Sequence, residues 1–219
     1  MLRAKIVVAG NQYIADYANR IGVQQIKILP TVVDTDIYTS KKFSSNNNFT
    51  IGWIGSPSTS RHLKVASSAL NYLCNNNDVK FCAIGALSKV FDEIPGQLIP
   101  WSEQNEVEIL NSFDVGIMPL PDTPWENGKC GFKLIQYMAA RLPVIASPVG
   151  VNSEIVDHGV NGFLARNTEE WVKYFEILRK DPDLRKKMGK TGRNKVEKFY
   201  SLKVVAPRLL TILKNASNI

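Results

Sequence analysis

The chain alternates short apolar runs with longer stretches in which apolar residues recur every three or four positions. Short apolar runs bounded by turn residues are typical of buried strands, and the longer spacing is typical of amphipathic helices. The predicted strands lie at 5–9, 26–29, 49–54, 79–84, 98–99, 114–118 and 144–146. The predicted helices lie at 12–21, 60–74, 103–111, 168–179, 182–199 and 203–215, and a further short helix follows Gly131.

Strands that alternate with helices predict parallel βαβ units with right-handed crossovers. The expected fold is therefore α/β, with a doubly wound parallel sheet and helices on both faces. Ligands of such folds bind beyond the carboxyl ends of the strands. Asn11 and Ser102 suit N-cap positions, and Gly22 suits the position after a helix. Residues 40–48 (SKKFSSNNN) are polar and turn-rich, and we interpret them as a flexible connector.

The stretch ahead of the last predicted strand is the most informative one for a ligand. Gly128 and Gly131 allow backbone conformations that a Cβ would hinder, and Pro143 ends the helix that follows them. The first N–H groups of a helix lack partners within it and carry the positive end of its dipole, which suits a phosphate. Lys129 and Lys133 add positive charge to this turn. The helix face predicted to be buried consists of Phe132, Ile135, Met138 and Ala139.

Composition narrows the class of protein. At 219 residues, with 44% hydrophobic and 21% charged residues, the chain resembles an ordinary globular protein. Its apolar runs are shorter than the roughly 18 residues of a membrane span, and its first residues do not resemble a signal peptide. Cys74, Cys82 and Cys130 match no metal-ligand spacing, and they predict reduced thiols in a cytoplasmic protein.

The net charge of +7 is unevenly spread, because residues 179–203 contain ten Lys or Arg against three acidic residues. Such a stretch is most often a solvated helix face, and it can also attract an anionic surface. Few aromatic residues interleave with these cations, which argues against a nucleic-acid partner. Peripheral contact with the inner face of an anionic membrane is the functional alternative that we keep.

Four segments carry a resemblance to a known family. In chain order they read IGWIGSPSTSRHL, FDVGIMPLPDTPWENGKCGFKLIQYMAA, RLPVIASPVGVNSEIV and DHGVNGFLA. With these segments the chain resembles the nucleotide-sugar-binding half of the retaining group-1 (family four) glycosyltransferases of GT-B fold. The resemblance implies a Rossmann-like nucleotide-sugar-binding domain at 41–219. At 1–40 it implies a hinge-proximal segment from the end of an N-terminal acceptor-binding domain that is missing from this chain.

The resemblance implies an enzyme of hexosyltransferase type. Its donor would be a nucleotide-diphospho-sugar, UDP-linked by preference and GDP-linked as the alternative, with no other cofactor and no metal required. The acceptor would be a saccharide or a lipid-linked sugar, in cell-surface polysaccharide or glycan biosynthesis. Without its acceptor domain, the chain alone would be an incomplete enzyme. The alternative is a non-catalytic nucleotide-binding or regulatory module that works with a separate acceptor-domain subunit.

The chain departs from the family at several positions that the resemblance assigns to the donor. Ser56 stands where the family has an arginine, and Arg61 where it has a lysine, both on the donor diphosphate. Gly128 and Gln136 stand where the family has two glutamates, the first near the donor sugar and the second on the ribose. Glu126, two residues earlier, could replace the first. These departures fit either a subfamily with its own donor or reduced activity.

Predictions for two more residues complete the set of candidate site residues. Arg141, where the family prefers glycine, is predicted at the end of the helix, where its charge is favourable. Trp101 is predicted either to wall the base pocket or to be a buried anchor. The catalytic candidates are Arg61, Lys133 and Glu126. The predicted donor-binding residues are Gly55, Ser56, Arg61, Ile99, Trp101, Gly128, Lys129, Cys130, Gly131, Phe132, Lys133 and Gln136.

Other kinds of enzyme fit the sequence poorly. The segment from Gly52 to Gly55 lacks the third glycine of the dinucleotide fingerprint, which argues against a nicotinamide enzyme. Ser147, Asp157 and His158 lack the glycine pattern of a hydrolase nucleophile elbow. The two histidines stand near no plausible set of metal ligands, so no metal site is predicted.

Overall fold

A computed structural model describes residues 1–38, 48–76 and 78–217 of the chain. Within them, a small two-stranded unit precedes a six-stranded sheet. The strands are β1 (Val7–Ala9), β2 (Ile26–Ile28), β3 (Phe49–Ile54), β4 (Val79–Ile84), β5 (Gln97–Ile99), β6 (Val115–Met118), β7 (Val144–Ala146) and β8 (Gly162–Leu164). The α-helices are α1 (Gln12–Arg20), α2 (Ser67–Asn76), α3 (Glu106–Asn111), α4 (Pro124–Asn127), α5 (Phe132–Ala139), α6 (Asn152–Ile155), α7 (Thr168–Lys180), α8 (Pro182–Phe199) and α9 (Leu202–Ser217). Two 3₁₀ helices cover Pro57–Ala66 and Ser88–Asp92.

The strand order of the larger sheet is β5-β4-β3-β6-β7-β8, and every neighbouring pair is parallel. In chain order, β3, β4 and β5 extend the sheet toward one edge, and β6, β7 and β8 then extend it toward the other edge. These two strands are neighbours, with Ile51 opposite Val115. A ligand crevice is expected at such a switch point, beyond the carboxyl ends of the two strands. The predicted doubly wound α/β fold is confirmed.

Helices cover both faces of the sheet because successive strand residues alternate between two apolar clusters. Phe81 and Ala83 of β4 pack in one cluster with residues of α2 and α7. Cys82 and Ile84, on the opposite face, pack in the other cluster with residues of α3 and α5. Parallel strands that are buried on both faces read as continuous apolar runs. The apolar runs of the sequence therefore coincide with the central strands.

The strand predictions are confirmed to within two residues at each end, and the helices predicted at 168–179 and 182–199 are confirmed. The sequence-based prediction omits β8, α4 and α6, which have three or four residues each. The connector predicted at 40–48 lies outside the described residues, except for Asn48. In the described ranges, no helix is long and apolar enough to cross a membrane.

The helix predicted at 103–111 begins later than expected. Its first residue is Glu106, so the prediction that Glu103 lies in the first turn is wrong. Ser102 does not cap this helix, because its hydroxyl donates to the side-chain oxygen of Asn105 at 2.6 Å. The consequence is that Glu106, rather than Glu103, is the acidic residue at the start of α3.

Two further helix predictions need correction. The segment predicted as one helix at 60–74 is a 3₁₀ helix up to Ala66 followed by α2. Phe132 is predicted on the buried face of α5, but it is 43% exposed. The other three residues of that face, Ile135, Met138 and Ala139, are fully buried. The first residue of α5 therefore faces solvent, whereas the rest of that helix face is buried.

An asparagine of the small unit formed by β1, α1 and β2 contacts the loop that precedes α5. Asn11 caps α1, as predicted, by accepting the Ile14 N–H at 2.9 Å. Its amide nitrogen donates to the carbonyls of Gly128 and Lys129, at 3.0 Å each. The loop that precedes α5 is thus held by the small unit. The division of the chain at residue 40 into a hinge segment and a donor domain stays a prediction.

Helix α8 crosses the end of α5 at a close approach. A Cβ at Gly189 would lie 2.0 Å from the carbonyl oxygen of Arg141. Arg141 lies directly after the last turn of α5, as predicted, and has a φ of 60°. This left-handed conformation is common just after a helix. Because the obstructing atom belongs to the backbone, a larger residue at position 189 must push the two helices apart.

We expect Gly189→Ala to lower the free energy of unfolding by about 1–3 kcal/mol, the usual range for overpacking. Steric conflict should outweigh the intrinsic helix preference of alanine over glycine, which is about 1 kcal/mol. The matched control is Lys190→Ala at the exposed neighbouring position, which should change stability by less than about 0.5 kcal/mol. Chemical denaturation followed by circular dichroism measures both variants. A Gly189→Ala protein as stable as the wild type contradicts the close approach.

Candidate functional site

A cavity of about 730 Å³ opens beyond the carboxyl ends of β3, β4 and β5. Its volume lies in the range of small-molecule sites, which is about 300–1,000 Å³. The ends of β3, β4 and β5, the first residue of α3 and the start of α5 enclose it. Its lining residues are Ile54, Gly55, Ser56, Pro57, Thr59, Gly85, Ala86, Leu98, Ile99, Pro100, Trp101, Glu106, Phe132, Lys133 and Gln136. We call it the first cavity.

One end of the first cavity is apolar. Leu98 and Ile99 of β5 lead into Trp101, and all three line the cavity. Trp101 is 55% exposed, which excludes the interpretation that it is a buried anchor. An exposed indole at a cavity wall offers a flat apolar face to a ring.

The other end of the first cavity is cationic. Gly131 caps α5 with a φ of 67°, a conformation that L side chains rarely adopt, and α5 then begins at Phe132. The Lys133 ammonium lies 5.3 Å from the centre of the Trp53 ring. Burial, with a contribution from the charge of Lys129, lowers the pKa of Lys133 to about 8. A half-buried lysine beside the unpaired N–H groups of a helix forms a site for an anion.

A group of hydroxyls adds neutral donors to the same wall. The Ser56 hydroxyl lies 3.0 Å from that of Ser58 and 3.2 Å from that of Thr59. The Ser56 N–H donates to the Thr59 hydroxyl oxygen at 3.2 Å. This wall therefore offers neutral hydrogen-bonding groups beside the charge of Lys133.

A polar network lies between the apolar and cationic ends. The Glu106 Oε1 atom accepts hydrogen bonds from Gln136 Nε2 at 2.8 Å and from the Tyr38 hydroxyl at 3.4 Å. The Glu106 Oε2 atom accepts one from Trp101 Nε1 at 2.7 Å. Tyr38 and Gln136 are buried, and Glu106 is half-buried at the cavity wall. One carboxylate therefore connects α3, α5 and the loop after β5.

A second cavity, of about 530 Å³, lies beside a buried charged pair. His62 Nε2 lies 3.0 Å from Glu126 Oε1, and both side chains are about 95% buried. Arg61, which is largely exposed, approaches the same carboxylate at 3.9 Å. The Thr123 hydroxyl donates to the other carboxylate oxygen. The lining residues are Arg61, His62, Lys64, Val65, Pro121, Thr123, Trp125 and Glu126.

The electrostatics of this pair favour a neutral histidine and an ionised glutamate. The Thr123 hydrogen bond is the main cause that lowers the pKa of Glu126, and His62 contributes. Burial is the main cause that lowers the pKa of His62, and the positive charge of Lys129 adds to it. The neutral His62 ring therefore donates a hydrogen bond from its Nε2–H group to the Glu126 carboxylate. The part of the chain that the structure describes contains no group of three or more His, Cys, Asp or Glu placed to hold a metal ion.

The structure brings most of the predicted donor-binding residues together. Those that line the first cavity are Gly55, Ser56, Ile99, Trp101, Phe132, Lys133 and Gln136. Two of the catalytic candidates, Arg61 and Glu126, lie instead in the second cavity. The third candidate, Lys133, lies in the first.

The loop before α5 does not line the first cavity. The carbonyls of Gly128 and Lys129 accept hydrogen bonds from Asn11, and Cys130 lines a separate cavity with Asn11 and Gly10. Residues 128–131 therefore lie outside the lining of the first cavity, and their part in donor binding stays a prediction. Phe132 and Lys133, the first two residues of α5, line the cavity.

Three polar residues at the two cavities are absent from the sequence-based assignments: Tyr38, His62 and Glu106. Glu106 carries a weak signal, since it is an acidic residue in a helix that follows a predicted strand end. His62 follows Arg61 in a predicted helix, but nothing local indicates its partner. Tyr38 carries no signal, because its neighbours in sequence form no periodic pattern.

The fold and the first cavity define a class of protein. A parallel sheet with a cavity beyond the carboxyl ends of its strands, an apolar wall, and a helix start that offers unpaired N–H groups is the arrangement of nucleotide-binding α/β domains. The sequence profile of the family described as glycosyl transferases group 1 matches residues 48–181. The chain belongs to this family.

Two curated relatives align with parts of the chain. Sucrose synthase from Melioribacter roseus is 30% identical over 125 residues, which is 54% of this chain and 15% of that protein. Spore coat protein SA from Bacillus subtilis is 32% identical over 78 residues, which is 34% of this chain and 21% of that protein. The chain thus spans less than a quarter of the length of either relative.

Solved structures share the fold at low sequence identity. A glycosyltransferase from Rickettsia africae has a TM-score of 0.82 at 18% identity, covering 98% of this chain and 64% of that one. Anabaena HepE in complex with UDP-glucose has a TM-score of 0.81 at 16% identity, covering 98% of this chain and 65% of that one. The C-terminal domain of a glycosyl transferase group 1 family protein from Francisella tularensis has a TM-score of 0.58 at 18% identity. It covers 78% of this chain and 99% of that one.

The buried pair yields a prediction about stability. His62→Ala leaves the Glu126 carboxylate buried without its closest nitrogen donor, so the free energy of unfolding should fall by about 2–4 kcal/mol. Glu126→Ala should also destabilise, and the double variant should be more stable than the sum of the two losses implies, by about 1 kcal/mol or more. Lys64→Ala, on the same 3₁₀ helix and exposed, is the control. Additive losses in denaturant titrations contradict the pairing.

Proposed function

We propose that this chain is the donor-binding domain of a retaining glycosyltransferase, and that the first cavity binds a nucleotide-diphospho-sugar. One observation carries the proposal: the exposed Trp101 indole and the Lys133 side chain line the same cavity beyond the carboxyl ends of β3, β4 and β5. A nucleoside diphosphate has the matching pattern, with a flat ring at one end and two phosphates at the other. Family membership supports the same class of ligand.

In this proposal each part of the donor meets a group of suitable chemistry. The base lies against Ile99 and Trp101, which offer apolar surface. The ribose lies near Gln136, where the family has a glutamate. The diphosphate lies at the first turn of α5, where Lys133 and the helix N–H groups favour negative charge, and Ser56 offers a neutral hydrogen bond.

The proposed chemistry is electrostatic. In retaining transfer of the front-face kind, the acceptor oxygen attacks from the side on which the leaving phosphate departs. The negative charge that develops on the departing diphosphate is stabilised by Lys133 and the helix amides, without a covalent nucleophile from the protein. Arg61 and Glu126 remain catalytic candidates for the sugar side of the donor, because the 3₁₀ helix Pro57–Ala66 lines both cavities.

The proposal extends to the identity of the nucleotide, the acceptor and the cellular location. UDP is preferred as the nucleotide, with GDP as the alternative, because solved structures of the same fold are described with UDP and UDP-glucose. The acceptor would be a saccharide or lipid-linked sugar in cell-surface polysaccharide or glycan biosynthesis, held by an N-terminal acceptor-binding domain. The location would be cytoplasmic, with peripheral contact between the basic stretch at 179–203 and the inner face of the membrane.

A non-catalytic nucleotide-binding module is the second candidate, and one observation favours it. Gly128 provides no carboxylate where the family has one near the donor sugar, and the Glu126 carboxylate is already engaged by His62 and Thr123. Supplying an acceptor-binding domain in trans distinguishes the two candidates. Sugar transfer from the donor supports the enzyme, whereas nucleotide binding without transfer supports the module.

The proposed diphosphate contact predicts the effect of Lys133→Met, which keeps an apolar stem against Trp53. We expect the dissociation constant for UDP to rise about ten- to a hundredfold, the scale of one charge-assisted contact. The loss for uridine should be small, because the nucleoside has no phosphate. Arg61→Ala should have a smaller effect than Lys133→Met, since Arg61 lies outside the first cavity. Calorimetric titration measures all of these. Failure of the wild type to bind UDP, GDP or UDP-glucose contradicts the proposed function.

The lowered pKa of Lys133 predicts a proton linked to binding. In the free protein this pKa is about 8, so an appreciable fraction of Lys133 is neutral at pH 8.5. A bound diphosphate favours the ammonium form and raises the pKa, so binding should take up a proton near this pH. Titrations at pH 8.5 in buffers of different ionisation enthalpy measure the uptake, which should vanish in Lys133→Met. Equal proton uptake by the variant contradicts the assignment to Lys133.

A further inference from the structure

The polar network of the first cavity centres on a carboxylate that the family comparison does not assign. Glu106 is the first residue of α3, and it lines the cavity. It lies thirty positions before Gln136 in sequence, yet the two side chains are joined by a hydrogen bond of 2.8 Å. The neutral Gln136 is therefore in direct contact with an acidic residue of another helix, α3.

The donors around Glu106 are fixed in their roles. The Gln136 amide nitrogen donates to Glu106 and, at 3.4 Å, to the Tyr38 hydroxyl oxygen, so Gln136 offers a ligand chiefly its carbonyl oxygen. Burial is the main cause that raises the pKa of Tyr38 to about 12, and the charge of Glu106 adds to it. Tyr38 thus stays protonated, and its hydroxyl donates a hydrogen bond to Glu106.

The carboxylate retains capacity for a ligand. An ionised carboxylate has about four lone-pair sites, and three are used by Gln136, Tyr38 and Trp101. Glu106 is only half-buried and faces the cavity, so the remaining site is open to a donor from the ligand. A hydroxyl group is the donor that matches a fixed carboxylate.

The place of Glu106 in the cavity selects which part of a nucleotide it meets. Gln136 lies three residues after Lys133 on α5, which is roughly 4.5 Å along the helix axis. On its other side, Glu106 is bonded directly to the Trp101 indole nitrogen. Glu106 thus lies between the group that suits the phosphates and the group that suits the base. In a nucleoside diphosphate the part between them is the ribose.

We propose that Glu106 supplies the ribose-binding carboxylate of this site, accepting a hydrogen bond from a ribose hydroxyl while it orients Trp101 and Gln136. The inference rests on the proposed function, because it presumes a nucleotide in the first cavity. It makes Glu106 a specificity residue that distinguishes ribose from deoxyribose.

The test compares two ligands on three proteins. The ligands are the nucleoside diphosphate that the wild type binds better, UDP or GDP, and its 2′,3′-dideoxy form. The proteins are the wild type, Glu106→Gln and the control Glu108→Gln, which removes the same charge from an exposed position of the same helix. Glu106→Gln should weaken the ribose form about ten- to a hundredfold, as for a hydrogen bond to a charged group, and should change the dideoxy form less than about threefold. Glu108→Gln should change neither by more than about threefold.

An exchange of the two side chains provides the rescue. Glu106→Gln combined with Gln136→Glu keeps one carboxylate and one amide in contact, and it should restore most of the preference for ribose. Three results overturn the inference alone: equal affinity of the wild type for both ligands, an unchanged ribose affinity in Glu106→Gln, or an equal loss for both ligands. The last of these indicates a purely structural role. A wild type that binds no nucleotide overturns the proposed function, and the inference with it.

Discussion

The hydroxyl of Tyr137 holds α5 against the two strands that form the switch point. The Ile54 N–H donates to this hydroxyl at 2.8 Å, and the hydroxyl donates to the Ile117 carbonyl at 3.3 Å. Burial raises the pKa of Tyr137, so its oxygen stays protonated and can both accept and donate. Lys133 and Gln136 lie on the same helix, within the turn before Tyr137. Their positions over the first cavity therefore depend on this pair of buried hydrogen bonds.

The fold could be predicted from local patterns because the central strands are buried on both faces and the long helices carry their own caps. Asn167 and Asp181 accept N–H groups at the starts of α7 and α8, and both caps are local features of the sequence. The edge strand β8 has three residues, Gly162–Leu164, and follows a stretch rich in glycine and asparagine that is typical of a turn. The turn signal therefore conceals the strand.

The candidate site could be predicted only in part, because contacts between distant residues decide the rest. Lys133 follows from its place at the start of α5, and Gln136 from the resemblance to the family. Glu106 lines the cavity and Tyr38 contacts Glu106, and no local spacing encodes these tertiary contacts. Arg61 is predicted in the first turn of a helix that starts near residue 60. The observed helix starts three residues earlier and is 3₁₀, with about three residues per turn instead of 3.6, so Arg61 lines the second cavity.

Lys129 links the two cavities electrostatically. Burial is the larger cause that lowers the pKa of both Lys133 and His62, and the positive charge of Lys129 is the next in each case. The carbonyl of Lys129 accepts a hydrogen bond from Asn11, the residue that caps α1 in the small unit, 118 positions earlier in the chain. The position of this charge is thus set by how the small unit lies against the sheet. If the contact with Asn11 is lost and Lys129 moves outward, both pKa values rise together, because both groups lose the same nearby cation.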